Sequence, residues 1–487
     1  MQQLQKQYVL PQMNIKNFLY NKGIWLIISI FAAAKILFLF KFHSVIWDEA
    51  VYIGMGKYLW SFGTAGLVDL QRPLLLSLVL GFIWKIGINP VIVGEIMGII
   101  FSTALVFMSY LIGLKLFDRR AGLIASVITA TLPLIIEHSS YILTDIPSVL
   151  FAVVALYFVI AKRWRLVGLF SGISFLFRFP HILVLFAIIG SLILSYLISK
   201  DKKTVKNIGV VILFFILTIS PWLVFNIFHF DDEPILRAAI MPLYEQNENI
   251  QEVGKHYDKN ISFYTSMVFG QNMFLMFIFI FVFAYIKEKW YKKISFNSVV
   301  LSLVIYLIYF TFFVFNTDRY AISFISFLII LASIGTSYAI NILKNKAVIS
   351  MILILFTISA INNVDESNKY YSWRYSEEPA IYSEYYEFFV NNQINGTIFT
   401  TDPVHAAYSE NKFIANSFLV EESAKSYEKN KKFITAFIYA PRSFPCLPED
   451  VECENKKKDF FNILSSDNEL IFNRTYDGNT YYIFKSE

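Results

Sequence analysis

Carboxylates and arginines recur at a few points of an otherwise greasy chain, and these are the groups able to do chemistry. Asp48 and Glu49 are adjacent in WDEAVYIGMGKYLW, and Glu137, His138 and Asp145 fall within EHSSYILTDIPSV. Neighbouring carboxylates near a membrane repel each other, so a basic group, a metal ion or a substrate proton is their natural partner. A carboxylate held beside a hydroxyl can also accept its proton as the oxygen attacks. Plainer roles exist for each. Asp48 and Glu49 would complement the dipole of a helix starting there. Thr144 or Asp145 would cap a following helix that has Pro147 in its first turn. Capping explains each bend by itself, but not why two bends both carry acids in a nearly uncharged region.

Arg72, Arg178, Arg237 and Arg319 lie in or beside the same connecting segments. A guanidinium presents planar donors that match phosphate oxygens. In NTDRY the pair Arg319–Tyr320 stands at the lip of a helix, where an arginine can also simply snorkel. Residues 229–262 form a connector too long for a compact bundle, and its mixed polarity suggests an element that covers a substrate. It holds His229, Asp231, Asp232, Glu233 and His256, whose spacing matches no diagnostic zinc pattern. A divalent metal ion therefore stays an open alternative, with Glu49, Asp145, His138 and His229 as candidate ligands.

The elements that must position these groups follow from hydropathy. Of 487 residues, 56% are hydrophobic, and the mean hydropathy is +0.53. The excess is concentrated in apolar runs between about 23 and 361, which marks an α-helical polytopic membrane protein. Basic junctions at 115–120, 162–165, 200–206, 287–293 and 344–346 belong in the cytoplasm. Alternation then requires one early run not to cross. The short run 74–84, flanked by Arg72–Pro73 and Lys85, is expected to lie at the outer interface. That leaves about eleven spanning helices: 23–40, 91–114, 121–137, 146–161, 166–177 plus a few residues, 180–199, 208–228, 267–286, 296–315, 320–343 and 347–361. The N-terminus is expected inside the cell, and the C-terminal region outside. A second short helix is expected from Asp48 to about Trp60.

This divides the chain into a cytoplasmic lead-in (1–22), a membrane domain (23–361, with external loops 41–90 and 229–262) and an extracytoplasmic domain (362–487). The last reads as a small α/β unit, with strands in GTIFTTD, KFITAFIYA and NTYYIFKSE. Asp402 and His405 follow the first strand, where turn and capping roles are commonest. Cys446 and Cys453 sit in one short loop and are expected to pair in an oxidising compartment. No basic stripe is interleaved with exposed aromatics, so nucleic acid is not an expected partner.

The ordered set of motifs resembles a known superfamily. WDEAVYIGMGKYL, QRPLLLSLVLGFIWKIG, KLFDRRAGLIASVITATLP, YILTDIPSVLFAVVALYFVI, SPWLVFN and DRYAISFISFLIILAS are similar to the GT-C membrane glycosyltransferases. Within that superfamily they resemble the protein O-mannosyltransferases and their aminoarabinose-transferase relatives. The resemblance implies a GT-C-like fold with two external juxtamembrane helices in the first loop. It implies that Asp48 acts on the acceptor with Glu49 beside it, and that Asp145 is the second external acid. Arg72 stands where relatives carry a basic or polar residue before two prolines, although Leu74 replaces the second here. Arg319–Tyr320 matches a recurring pair at the head of a late helix.

The function then expected is transfer of a sugar from a polyprenyl-phosphate-linked donor to an acceptor hydroxyl of a protein, lipid or glycan. Asp48 would serve as base, and Arg72, Arg237, Arg319 and Tyr320 would hold the donor phosphate. The competing reading is a transporter or flippase for an anionic lipid or solute, favoured by the helix break at Arg178–Phe179–Pro180. Convergence separates the two, because a transferase needs Asp48, Asp145 and an arginine around one external site.

Overall fold

A computed structural model describes residues 22–41, 45–69, 72–229, 261–314, 317–343, 346–375, 382–415, 419–444, 446, 450–476 and 478–486. The membrane part is a helical bundle. In chain order it contains α1 (Lys22–Leu39), α2 (Trp47–Trp60), α3 (Leu75–Lys85), α4 (Pro90–Leu116), α5 (Arg119–Thr131), α6 (Pro133–His138), α7 (Asp145–Ile160) and α8 (Trp164–Phe177). Then follow α9 (Ile182–Ser199), α10 (Lys202–His229), α11 (Ile261–Gln271), α12 (Ile278–Lys287), α13 (Ile294–Phe312), α14 (Asp318–Leu343) and α15 (Lys346–Arg374).

Each apolar run expected to span is mainly helical where described, but the runs are not equally able to cross. Seven helices are long and apolar enough among the described residues. The pieces Ser262–Gly270 and Met273–Lys287, bent by 115°, make an eighth candidate if they form one span. Segment 121–137 is divided at Leu132, whose extended backbone (ψ 121°) precedes Pro133. A proline disfavours the helical conformation for the residue before it, which accounts for the break. Likewise α8 stops at Phe177, and a short 3-10 turn over Phe179–His181, with Pro180 in it, leads into α9. The expected boundary at 361/362 falls inside α15, which runs on as one helix to Arg374.

The two short helices of the first loop are present, at Trp47–Trp60 and Leu75–Lys85. Their packing is set by glycines. A Cβ on Gly56 would lie 2.5 Å from the Ser77 carbonyl oxygen, and one on Gly81 would lie 2.2 Å from that of Gly56. Hydrogen in place of a side chain therefore lets α2 and α3 touch backbone to backbone.

Beyond α15 the chain forms a mixed five-stranded sheet. Its strands are β1 (Thr397–Thr400), β2 (Lys412–Ala415), β3 (Ala436–Tyr439), β4 (Asn468–Tyr476) and β5 (Asn479–Ser486), in the order β2-β1-β3-β5-β4. β1 is parallel to both β2 and β3, whereas β5 is antiparallel to β3 and β4. Strand β4 and the short edge strand β2 were not among those expected. Cys446 and Cys453 are joined by a disulfide.

The first loop grips this sheet. Gly66 N–H donates to the Asn411 carbonyl (2.8 Å), and Phe413 N–H donates to the Gly66 carbonyl (2.7 Å), beside edge strand β2. Gly66 has φ +74°, and a Cβ there would meet the Gly54 carbonyl at 2.1 Å, so the position requires glycine. Farther along α2, buried Lys57 donates to the carbonyls of Ala407 (3.0 Å) and Ser409 (2.9 Å). The helix carrying Asp48 is thus held on one side by α3 and on another by the sheet domain.

Candidate active site

Three helix starts, one loop and one helix break converge on a cluster of arginines and aspartates. Asp48 is the second residue of α2, Asp145 opens α7 and Arg319 lies in the first turn of α14. Arg72 comes from the stretch before α3, and Arg178 from the break between α8 and α9. Arg319 joins the two acids: its Nη1 pairs with Asp48 Oδ2, while its Nε and Nη2 reach Asp145 Oδ2 at 3.0 and 2.9 Å. Arg72 Nη2 binds the other Asp48 oxygen at 2.8 Å, and its Nε binds Asp69 at 2.8 Å. Arg178 pairs with Asp145 Oδ1. Both oxygens of each acid are therefore engaged by guanidinium groups.

Exposure differs sharply between the two acids. The Asp48 and Arg72 side chains each keep 21% of their surface and Arg319 keeps 26%, whereas Asp145 keeps none. A ligand arriving from outside meets Asp48, Arg72 and Arg319 first, and Asp145 forms the floor. Burial by itself would push the Asp48 carboxyl up. The fields and hydrogen bonds of Arg72 and Arg319 outweigh burial and hold it well below the usual carboxylate range. Burial likewise disfavours charge on Arg72, but Asp48 more than compensates and keeps it cationic.

Aromatic rings complete the wall. Tyr52 lies under the Arg72 guanidinium at 5.4 Å, and Tyr320 under that of Arg178 at 5.1 Å. Tyr320 also stacks on Phe310 at 4.9 Å. Tyr52 Oη is 3.2 Å from Thr144 Oγ1, a second link between α2 and the start of α7. Below the floor, Ser148 Oγ is 3.1 Å from His181 Nε2, and Ser174 Oγ donates to the Ser148 carbonyl at 2.7 Å.

Glu49 turns away from Asp48. It is 1% exposed and accepts from Ile46 N–H (2.7 Å), Ile142 N–H (2.8 Å) and Arg374 Nη2 (3.1 Å to each oxygen). Successive residues on a helix point about 100° apart, so adjacent acids face different neighbours. Glu49 thereby ties the start of α2 to the 139–144 turn and to the end of α15. Arg374, whose guanidinium lies 4.6 Å from the Tyr141 ring, was not singled out in the sequence. The nearest signal was an arginine buried in aromatic residues, YYSWRY.

Of the proposed cation ligands, Glu49, Asp145 and His138 do not come together. Glu49 faces Arg374, Asp145 faces Arg178 and Arg319, and His138 lies edge-on to Tyr141 with ring centroids 5.9 Å apart. Among the described residues no three His, Cys, Asp or Glu side chains are grouped to hold a metal. With guanidiniums on every oxygen of Asp48 and Asp145, this donor set does not fit a divalent ion. Arg237 and most of the 229–262 connector lie outside the described residues, as does the side chain of His229.

Comparison with known proteins settles what this architecture is. Residues 71–225 match the dolichyl-phosphate-mannose-protein mannosyltransferase family. The structure superposes on that of ArnT from Cupriavidus metallidurans bound to undecaprenyl phosphate with a TM-score of 0.65, over 94% of this chain and 97% of that one at 10% identity. The chain has the GT-C fold. The same GT-C architecture recurs in the Archaeoglobus fulgidus oligosaccharyltransferase in complex with Zn and sulfate, with a TM-score of 0.61 and 12% identity over 85% of this chain and 68% of that chain. Arabinofuranosyltransferase AftD from mycobacteria matches with a TM-score of 0.52 and 10% identity, over 94% of this GT-C chain but 41% of its own. No curated protein matches in sequence.

Proposed function

We propose that this GT-C membrane glycosyltransferase moves a sugar from a polyprenyl-phosphate carrier to an acceptor hydroxyl at the site formed by Asp48, Arg72 and Arg319. The single observation that carries the reading is that Arg319 is bonded to both Asp48 and Asp145. It brings the acids of two separate connectors to one guanidinium-rich site.

The chemistry follows from charge. As the bond from the anomeric carbon to the phosphate oxygen breaks, negative charge grows on that oxygen, and Arg72 and Arg319 stabilise it. Asp48 accepts the proton of the acceptor hydroxyl as its oxygen bonds to the same carbon from the opposite side. A single displacement of this kind inverts the anomeric centre and needs no covalent sugar–enzyme intermediate.

An aspartate clamped by two guanidiniums is a weak base. An incoming phosphate monoanion competes for the same donors. Donor binding would therefore draw Arg72 and Arg319 away and raise the basicity of Asp48 when the acceptor needs it. Arg178 would remain with Asp145 and keep the floor in place. Arg237 and Tyr320 remain donor-side candidates in this reading, with Tyr320 acting through Arg178.

The site is assigned to the outer face of the membrane, with the N-terminus cytoplasmic and the sheet domain outside. The basic junctions on the opposite side support this orientation, and the Cys446–Cys453 disulfide is at home in an oxidising compartment. The acceptor is a hydroxyl of a protein, lipid or glycan. The test is to incubate the purified protein in bilayers with a panel of polyprenyl-phosphate sugars and follow products by mass spectrometry. The native chain should convert one of them, and Asp48→Asn should lose nearly all turnover while keeping its fold. Equal turnover by the variant would remove Asp48 from the mechanism.

A further inference from the structure

A second site lies where the first loop meets the sheet domain, away from the arginine–aspartate cluster. A cavity of about 380 Å³ opens between the far end of α2, the α3–α4 turn and the sheet domain. That volume falls within the range of small-ligand pockets. Its polar lining comprises Lys57, Trp84, Asn89, Glu387, Tyr408 and Glu410. Lys57 is 2% exposed and sits at the base, 3.7 Å from Glu410. Trp84 Nε1 donates to both Glu410 oxygens, at 3.0 and 2.9 Å, and so holds that carboxylate in place. The half-buried Glu387 carboxylate has no hydrogen bond or ion pair among the described residues. Asn89 uses its oxygen to cap α4 at Val91 N–H (2.9 Å), so its amide presents N–H donors.

The surroundings of the cavity indicate how a ligand arrives. Ile88 lines it and is exposed, and Ile92, Ile96 and Ile100 continue down α4, all exposed and four residues apart. That spacing puts them on one face of a helix long and apolar enough to cross the bilayer. The polar cavity therefore stands at the head of a lipid-facing apolar stripe. Next to the lining residue Trp84, Lys85 places its Nζ 6.0 Å from the Trp84 ring.

We propose that this cavity holds the head group of a phospholipid bearing a primary amine and a phosphate, with its acyl chains along the α4 stripe. The ammonium donates to Glu387 and Glu410, and the phosphate accepts from Asn89 and meets Lys57 or Lys85. The lining carries one positive charge against two negative ones, so a purely anionic head group is disfavoured. A trimethylated amine has no N–H to give the carboxylates, so it too binds less well. The site requires no donor sugar and does not depend on the transfer reaction.

Native mass spectrometry of protein released from nanodiscs of equal parts phosphatidylethanolamine, phosphatidylcholine and phosphatidylglycerol tests this. The native chain should retain phosphatidylethanolamine preferentially. Glu387→Gln should lower that retention about tenfold, the loss expected for a hydrogen bond to a charged group, with the other two lipids unchanged. Glu410→Gln, at an exposed side chain, should act in the same direction. An unchanged melting temperature for both variants excludes misfolding as the cause. Equal retention of the three lipids, or undiminished phosphatidylethanolamine on both variants, would overturn the proposal. Soluble glycerophosphoethanolamine binding as tightly as the lipid would overturn the assignment to a membrane ligand.

Discussion

Arg319 and Asp145 lie 174 residues apart in sequence, yet the arginine Nε and Nη2 both reach one oxygen of that aspartate. The same guanidinium takes Asp48, 271 residues away, with its Nη1. A lysine has one ammonium and no fork, so it cannot serve both acids in this arrangement. Arg319→Lys is expected to lower kcat/KM by about 10²–10³, the scale of losing one oriented donor to developing charge. Single-turnover assays with a saturating lipid donor should show the defect in the chemical step.

The Glu49–Arg374 pair makes a separate, structural prediction. Both partners are almost fully buried, at 1% and 4% exposure, so removing one leaves an uncompensated charge. Arg374→Ala should destabilise the protein by about 3–5 kcal/mol. Glu49→Gln combined with Arg374→Met should recover part of the loss, because neither charge is then stranded. Thermal unfolding of the two variants in the same detergent makes the comparison.

Glycine at the α2–α3 contact is required by space. Gly81→Val would drive its side chain into the Gly56 backbone and the Trp60 ring. The helix bearing Asp48 would then have to shift. Turnover should fall at least tenfold, the consequence of about 1.4 kcal/mol of lost alignment. Gly87→Ala, at a left-handed turn where a Cβ meets nothing within 4 Å, controls for glycine loss without a clash. It should cost only the strain of its φ of +81°.

The sheet domain should be acid-sensitive through His405. This residue is fully buried against Tyr385 (4.4 Å) and Phe389 (5.4 Å), with no hydrogen bond to either ring nitrogen among the described residues. Burial pushes its pKa down to about 3. The unfolded chain, with a histidine near 6.5, binds the extra proton throughout the interval between these values. Stability is therefore lost as pH falls from 6.5 toward 3, by at most about 1.4 kcal/mol per pH unit. Asp402, which burial pushes up, works in the opposite sense above the ordinary aspartate value. His405→Phe should flatten the decline in melting temperature between pH 6.5 and 5; an unchanged slope would remove His405 as its source.

Much of this architecture was legible because hydrophobicity is local. Leu75–Lys85 announced itself by an apolar run with charged flanks and Trp47–Trp60 by the acids at its start, and counting basic junctions led to the expectation that both lie on the outer side. Asp48, Arg72, Asp145 and Arg319 were singled out because ionic groups are scarce in such a chain. Partnership was less visible. Adjacent Asp48 and Glu49 read as one acidic pair, but helix geometry sends them to different neighbours. Arg374 was missed because it follows a stretch of ordinary soluble composition, and its partner lies 325 residues away. Strand β4 was missed because its exposure does not alternate cleanly, and β2 because four residues carry too little pattern. The break at Pro133 leaves a weaker trace than the one at Pro180, because apolar residues flank it on both sides.

The most direct test is a double-mutant cycle on kcat/KM between Asp48→Asn and Arg319→Gln, using the polyprenyl-phosphate sugar that the native chain turns over. If the two groups act on one donor and acceptor at one site, the double variant should be about as impaired as the worse single variant. Losses that multiply, each variant acting as though the other were absent, would mean that Asp48 and Arg319 do not work together, and the account of this site would fail.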